Sequence, residues 1–228
     1  MINDLLNYNL KIYQNEDSFK FSIDSVLLAE FVNINYRAKN IIDLCTGNAP
    51  IPMILSTKFN KSIYGVELQK SIYKLGKKSV ELNNIKNVNL INDDVKNIVD
   101  RFDFKFDIII CNPPYFKVDN KSSIINENYT KAVARHELCV TLDDIISVSS
   151  KIIKESGSLY LVHRCDRFVE ILDLLKKYRF GLRRLQFVYD NLNSNSCFLL
   201  IEAKYNCKDD LKVINPLYID KYLEGKWS

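Results

Sequence analysis

FDIIICNPPY, residues 106–115, is the stretch from which the rest of the chain is read. Phe106–Cys111 is apolar but for Asp107 and shows no in–out alternation. Such a run predicts a central parallel strand buried on both faces. Pro113 and Pro114 then fix φ and remove two donors, so the chain leaves the strand in an extended bend. Upstream, NIIDLCTG (40–47), SIYGVE (62–67) and VNLINDDV (88–95) read as three further strands. Pro50 and Pro52 suit the first turn of a helix, where a missing N–H costs least. SIYKLGKKSVELNNI (71–85) carries Ile72, Leu75, Val80 and Leu82 at near-helical spacing. Downstream, LDDIISVSSKIIKE (142–155) predicts a helix stopped by Gly157, SLYLVH (158–163) a fifth strand and RFVEILDLLKKY (167–178) an amphipathic helix. LRRLQFVYD (182–190) and SCFLLIEAKY (196–205), separated by the turn-forming NLNSN, predict an antiparallel pair. Before the first strand stand a hairpin-like segment and SIDSVLLAEFV (22–32), a helix capped by Ser22 or Asp24. Strands alternating with helices give an α/β fold on a parallel sheet.

The chain has 228 residues, 47% hydrophobic and 26% charged, which excludes a disordered or fibrous protein. Its net charge is +4 and its pI about 8.6, which permits a nucleic-acid partner without demanding one. The six cysteines form no C-x-x-C pair, so zinc-ribbon and thioredoxin readings fail and no metal is expected. The N-terminus carries acids and no apolar core run, unlike a signal peptide. No apolar stretch approaches the roughly 18 residues of a membrane span. Reduced thiols in a cytoplasmic protein are expected.

Four features fall at the carboxyl ends of predicted strands, where open parallel sheets bind ligands. The first is Asp43 and the turn through Gly47, whose backbone N–H groups can face a ligand. A richer turn of this type reads D-x-G-x-G-x-G; here Cys45 and Ala49 take the outer positions. The second is Glu67, 24 positions after Asp43, placed to accept both hydroxyl hydrogens of a ribose. The third is NDDV (92–95), an acid beside an apolar side chain that can cover a ring face, or an ordinary helix N-cap. The fourth and sharpest is NPPY (112–115), where the Asn112 side chain and the Pro113 carbonyl can face one point beside an aromatic ring.

These elements, in this order, resemble the class I S-adenosylmethionine-dependent methyltransferases. NPPY resembles the Asp/Asn/Ser/His-Pro-Pro-aromatic motif of enzymes that methylate adenine N6, some guanine N2 and glutamine amides. FKFSIDSVLLAEF (19–31), ARHE (134–137) and LVHRCDRFVEIL (161–172) resemble segments of the small bacterial tRNA (adenine-N6)-methyltransferases, which modify position 37 of valine tRNA. The resemblance spans residues 8 to 205. It implies a Rossmann-like, mostly parallel seven-stranded sheet with helices on both faces and an antiparallel last strand. It implies an N-terminal extension (1–35) closing the cofactor pocket, a methyltransferase domain (36–206) and a C-terminal tail (207–228). Asp43 and Gly47 would line the methionine end of S-adenosylmethionine, Glu67 its ribose, and Asp94 (rather than Asp93) with Val95 its adenine. Phe21 and Asp24 would close that pocket. Asn112 and Pro113 would take the target amine, and Pro114 and Tyr115 the target base.

That chemistry is coherent. An exocyclic amine has its lone pair conjugated with the ring and is a poor nucleophile. Accepting both its hydrogens, on Asn112 Oδ1 and the Pro113 carbonyl, turns the nitrogen toward tetrahedral geometry, so orientation replaces a strong base. Tyr115 would stack on a splayed-out base of the anticodon stem-loop, and Lys117, Lys121, Lys131 and Arg135 are candidates to meet RNA, with a solvated charged face as the alternative. Lys176, Lys177, Arg179, Arg183 and Arg184 form a second basic group, with a solvated face as the alternative. His136 and His163 read as structural, and Cys45 and Cys111 as small packing residues. Competing readings are a release-factor glutamine methylator, a ribosomal-RNA adenine-N6 or guanine-N2 enzyme, and a non-catalytic RNA-binding module.

Overall fold

The computed structural model describes residues 1–14, 23–114 and 140–227, without the side chains of Asn7, Lys226 and Trp227. Strands β1 (Ile2–Asp4) and β2 (Lys11–Tyr13) form an antiparallel hairpin. Helix α1 (Ile23–Phe31) follows, then β3 (Asn40–Leu44), α2 (Pro50–Ser56), β4 (Ser62–Glu67), α3 (Lys70–Leu82) and β5 (Val88–Asn92). A 3-10 helix, Val95–Asp100, leads to β6 (Phe106–Cys111). After it come α4 (Leu142–Ile152), β7 (Ile153–Arg164), α5 (Phe168–Lys177), β8 (Phe180–Tyr189), β9 (Ser196–Tyr205), β10 (Lys212–Tyr218) and α6 (Ile219–Trp227).

The main sheet runs β10-β8-β9-β7-β6-β3-β4-β5. Strands β3 to β7 are parallel, and β9 is antiparallel to both its neighbours. The chain moves outward from β3 through β4 to β5, then restarts at β6 on the other side. That reversal makes the crevice between the carboxyl ends of β3 and β6 the topological switch point of the sheet. Leu44 pairs with Cys111, so the Cys45 turn and Asn112 leave the sheet side by side.

The sheet has eight strands rather than the expected seven, because β10 adds in parallel to the outer edge of β8. Its residues fall in the stretch that the sequence presents as a C-terminal tail. It is mostly exposed, with Val213 61% accessible, so it lacks an apolar signature. It also carries Pro216, which an edge strand tolerates. Helix α4 ends at Ile152, before Gly157, and β7 starts at once. Gly157 sits in an irregular stretch of β7, between the Phe106–Ile153 and Ile108–Ser158 pairings. A Cβ there would stand 2.6 Å from Ile153 Cγ1 and 3.1 Å from the Asp107 carbonyl oxygen. Close backbone packing, not helix termination, accounts for that glycine.

Alternate residues of β3 and β6 feed two cores, as strand geometry requires. Ile41, Ile108 and Ile110 pack with α1 and α2; Ile42, Leu44, Ile109 and Cys111 pack with α4 and α5. Truncating one of the fully buried isoleucines to alanine costs about 2–5 kcal/mol. Helix α4 begins with a reciprocal capping box: Thr141 Oγ1 accepts the Asp144 N–H, and Asp144 Oδ2 accepts the Thr141 N–H. Helix α1 is buried almost all round, as a helix enclosed on every side must be. Glu30 Oε1 accepts hydroxyls from Tyr8 (2.6 Å) and Tyr222 (2.7 Å), tying α1 to the N-terminal hairpin segment and to α6. No described helix is long and apolar enough to cross a membrane.

Candidate active site

The turn after β3 holds three left-handed residues in five: Cys45 (φ 61°), Gly47 (φ 60°) and Ala49 (φ 71°). Cys45 and Ala49 therefore keep the backbone of a glycine-rich turn without its glycines, at a cost of roughly 1–2 kcal/mol each. The tertiary frame compensates. Thr46 N–H donates to the Val66 carbonyl at 2.8 Å, and Ala49 N–H to the Thr46 carbonyl at 3.0 Å. A Cβ on Gly47 would meet nothing within 4 Å. The space over the turn is thus open to a ligand.

Asp43, 1% accessible, accepts the Thr46 hydroxyl on Oδ2 at 2.6 Å. Its other oxygen, Oδ1, is buried with no partner among the described residues. Burial pushes its carboxyl up to about 8, helped by nearby Glu67 and opposed by the Thr46 hydroxyl. Glu67, at the end of β4, accepts the Gly47 N–H on Oε2 (3.0 Å) and the Gln69 N–H on Oε1 (2.8 Å). Its pKa is raised by burial, against the pull of those two bonds. Each carboxylate oxygen retains further acceptor capacity.

Asp94 caps the 3-10 helix, accepting the Lys96 N–H at 2.9 Å. Asp93 instead binds Arg101 at 2.9 Å and Asn97 at 2.9 Å, which hold its carboxyl below the usual range. A cleft there is lined by Cys45, Glu67, Leu68, Asp94, Val95, Pro114 and Val140. Asn112, half-buried, follows β6 beside it and donates from Nδ2 to Ser25 Oγ of α1 at 2.8 Å. Asp24 is buried next to Ser25 and accepts the Ser25 N–H at 2.7 Å. The structure thus gathers Asp43, Gly47, Glu67, Asp94, Val95, Asn112 and Pro114 at the carboxyl end of the sheet. Phe21, Tyr115, Lys117, Lys121, Lys131, Arg135 and His136 lie outside the described residues.

Other candidates take structural parts. His163 is buried, accepts the Arg164 N–H on Nδ1 at 2.9 Å, and is pushed down to about 4 by burial and by Arg167. It is neutral at pH 7. The Cys111 thiol is pushed up by burial and by its neighbour Cys45, the opposite of an activated nucleophile. The second basic group is largely paired: Lys177 with Asp143 (2.6 Å), Arg183 with Asp210 (3.1 Å) and Arg184 with Glu202. Arg184 also stacks over Phe31, 4.3 Å from its ring centre. The described cationic row that sequence reasoning missed is on α3. Lys70, Lys74, Lys77 and Lys78 are exposed there and make no ion pair among the described residues. Their spacing of four, three and one places them on one side of a helix, a signal present in the sequence.

This donor and acceptor set fits S-adenosylmethionine. The spare acceptor sites on Glu67 suit ribose hydroxyls, and Leu68, Val95 and Pro114 suit the faces of a purine. The unpartnered buried oxygen of Asp43 and the open turn at Gly47 suit a cationic amino-acid tail. Among the described residues no group of His, Cys, Asp and Glu is arranged to hold a metal.

The chain is similar to several known proteins. A relative from Cytophaga hutchinsonii, a tRNA1(Val) (adenine(37)-N6)-methyltransferase, is 27% identical over 79% of this chain and 74% of its own. One of the same name from Flavobacterium psychrophilum is 21% identical over 93% of this chain and 92% of its own. A predicted O-methyltransferase from Agrobacterium tumefaciens has a similar fold, with TM-score 0.67, 21% identity and 86% of each chain covered. The Thermus thermophilus 16S rRNA N2 G1207 methyltransferase, solved with its cofactor and guanosine, superposes with TM-score 0.61 and 19% identity. That match covers 90% of this chain and 50% of the other. The family model for the methyltransferase small domain matches residues 19–183. With that match over most of its length, the chain belongs to the methyltransferase small domain family, class I methyltransferases that use S-adenosylmethionine.

Proposed function

We propose that this protein methylates the N6 amino group of an adenosine in tRNA, at position 37 of valine tRNA. The observation that carries the reading is Asn112. Its carboxamide stands at the carboxyl end of β6, beside the cleft lined by Glu67, Asp94 and Pro114, with Nδ2 bound to Ser25. Oδ1 is the atom on the other side of that amide. It and the Pro113 carbonyl are suited to accept the two hydrogens of an exocyclic amine. The relatives' names supply the adenine and the tRNA. S-adenosylmethionine supplies an electrophilic methyl group. The protein's part is orientation: it holds the amine so that its nitrogen turns toward tetrahedral geometry and its lone pair comes out of conjugation with the ring. The surplus proton passes to water, because an alkylated, ring-conjugated ammonium is a strong acid. Tyr115 stacks on the target base, and Lys117 and Arg135 meet the RNA near it. The α3 lysines extend that contact to phosphates further along the anticodon arm. The protein works in the cytoplasm, where tRNA is modified.

Asn112→Ala tests the reading. Turnover on unmodified tRNA is expected to fall at least a hundredfold, with S-adenosylmethionine affinity changed less than threefold by calorimetry. Wild-type turnover in that variant would remove Asn112 from the reaction.

A further inference from the structure

We infer that Ser25 is a positioning residue for the methyl transfer, acting as the acceptor that the productive orientation of Asn112 requires. The inference rests on the amine-methylating function proposed above. A carboxamide has two ends of nearly equal size and opposite chemistry: Oδ1 accepts and Nδ2 donates. A half-turn about Cβ–Cγ exchanges them. An amine presenting two N–H groups is held only by the oxygen end. The oxygen can face the amine without penalty only if Nδ2, turned the other way, has an acceptor of its own. Ser25 Oγ is that acceptor, 2.8 Å from Nδ2 and 87 positions away in sequence.

Three features make Ser25 suited to the task. It is 6% accessible, so water is a poor substitute. It stands in the first turn of α1, a helix buried on nearly all sides, so its position is set by the core. Its own N–H is bound to Asp24 Oδ1 at 2.7 Å, which fixes the backbone that carries the hydroxyl. The sequence after Asn112 contributes from the other side. An asparagine ordinarily bonds its own backbone two residues on. Pro113 and Pro114 have no N–H, so that local bond to Oδ1 is not available. Ser25 satisfies the nitrogen.

Removing the hydroxyl therefore penalises the productive orientation and leaves the cofactor cleft intact. Ser25→Ala is expected to lower kcat on tRNA about tenfold. The KM for tRNA and the calorimetric Kd for S-adenosylmethionine should stay within twofold, with the melting temperature near that of the wild type. Should Ser25→Ala fail to fold, Ser25→Cys, nearly isosteric but a poor acceptor, is read by the same criteria. A kcat within twofold of wild type overturns the inference. So does a parallel loss of kcat and cofactor affinity, which would make Ser25 a packing residue of α1. No methylated adenosine from the wild-type protein would sink the functional reading itself. Product from the wild type with an unimpaired Ser25→Ala sinks only the role of Ser25.

Discussion

Glu67 Oε2 accepts the Gly47 N–H at 3.0 Å, so the acid that ends β4 holds the turn that follows β3. One carboxylate holds this turn and keeps spare acceptor sites that suit ribose hydroxyls. Two glycines of the usual turn are replaced here, and this bond keeps Gly47 in its left-handed conformation between Cys45 and Ala49.

Glu67→Ala removes both functions, and Glu67→Gln removes part of each, because one amide end cannot accept from a backbone N–H. S-adenosylmethionine affinity is expected to fall about tenfold for the glutamine variant and a hundredfold or more for the alanine variant. Lost bonds to a charged acceptor also cost about 1.5–3 kcal/mol of stability each. Calorimetry and denaturant titration read the two effects separately. Wild-type affinity in Glu67→Ala would contradict the ribose role.

Asp43 predicts a pH dependence of stability. Its carboxyl lies near 3.8 in the unfolded chain and is raised to about 8 in the folded protein. The folded state therefore binds the proton more tightly between those values. This contribution is complete below about pH 4, is lost as pH rises, and levels off above about pH 8. Asp43→Asn should flatten the fall in melting temperature from pH 5 to pH 8, measured without cofactor. An identical slope in both proteins would remove Asp43 as its source.

The α3 row predicts a salt-dependent docking surface. Lys70 begins the helix directly beyond the carboxyl end of β4, and the row runs from there for about 12 Å. Lys70→Glu, Lys74→Glu and Lys77→Glu together should raise the KM for tRNA tenfold or more and weaken its dependence on salt. Cofactor affinity should not change. Unaltered KM and salt slope would reduce the row to a solvated face.

The central fold could be read from the sequence because β3 and β6 are apolar runs whose neighbours alternate strand with helix. Strand β10 could not, since its exposed residues and Pro216 carry no burial pattern. The acids and Asn112 were legible because each sits at a strand end, the one place a parallel sheet gathers residues distant in sequence. The pairings were not. Lys177 meets Asp143 across 34 positions, and Arg184 meets Glu202 across a β8–β9 contact, so a basic cluster on paper becomes a set of ion pairs. Ser25 was hidden for the same reason: its hydroxyl gains meaning only when α1 is packed beside the end of β6.

The most direct test of the account is nucleoside mass spectrometry of tRNA lacking the modification, after incubation with the purified protein and S-adenosylmethionine. The account predicts N6-methyladenosine, about one per valine tRNA, mapping to position 37 and absent with Asn112→Ala. An unchanged nucleoside profile, with methyl transfer instead to guanine N2 of ribosomal RNA or to a release-factor glutamine, would contradict it.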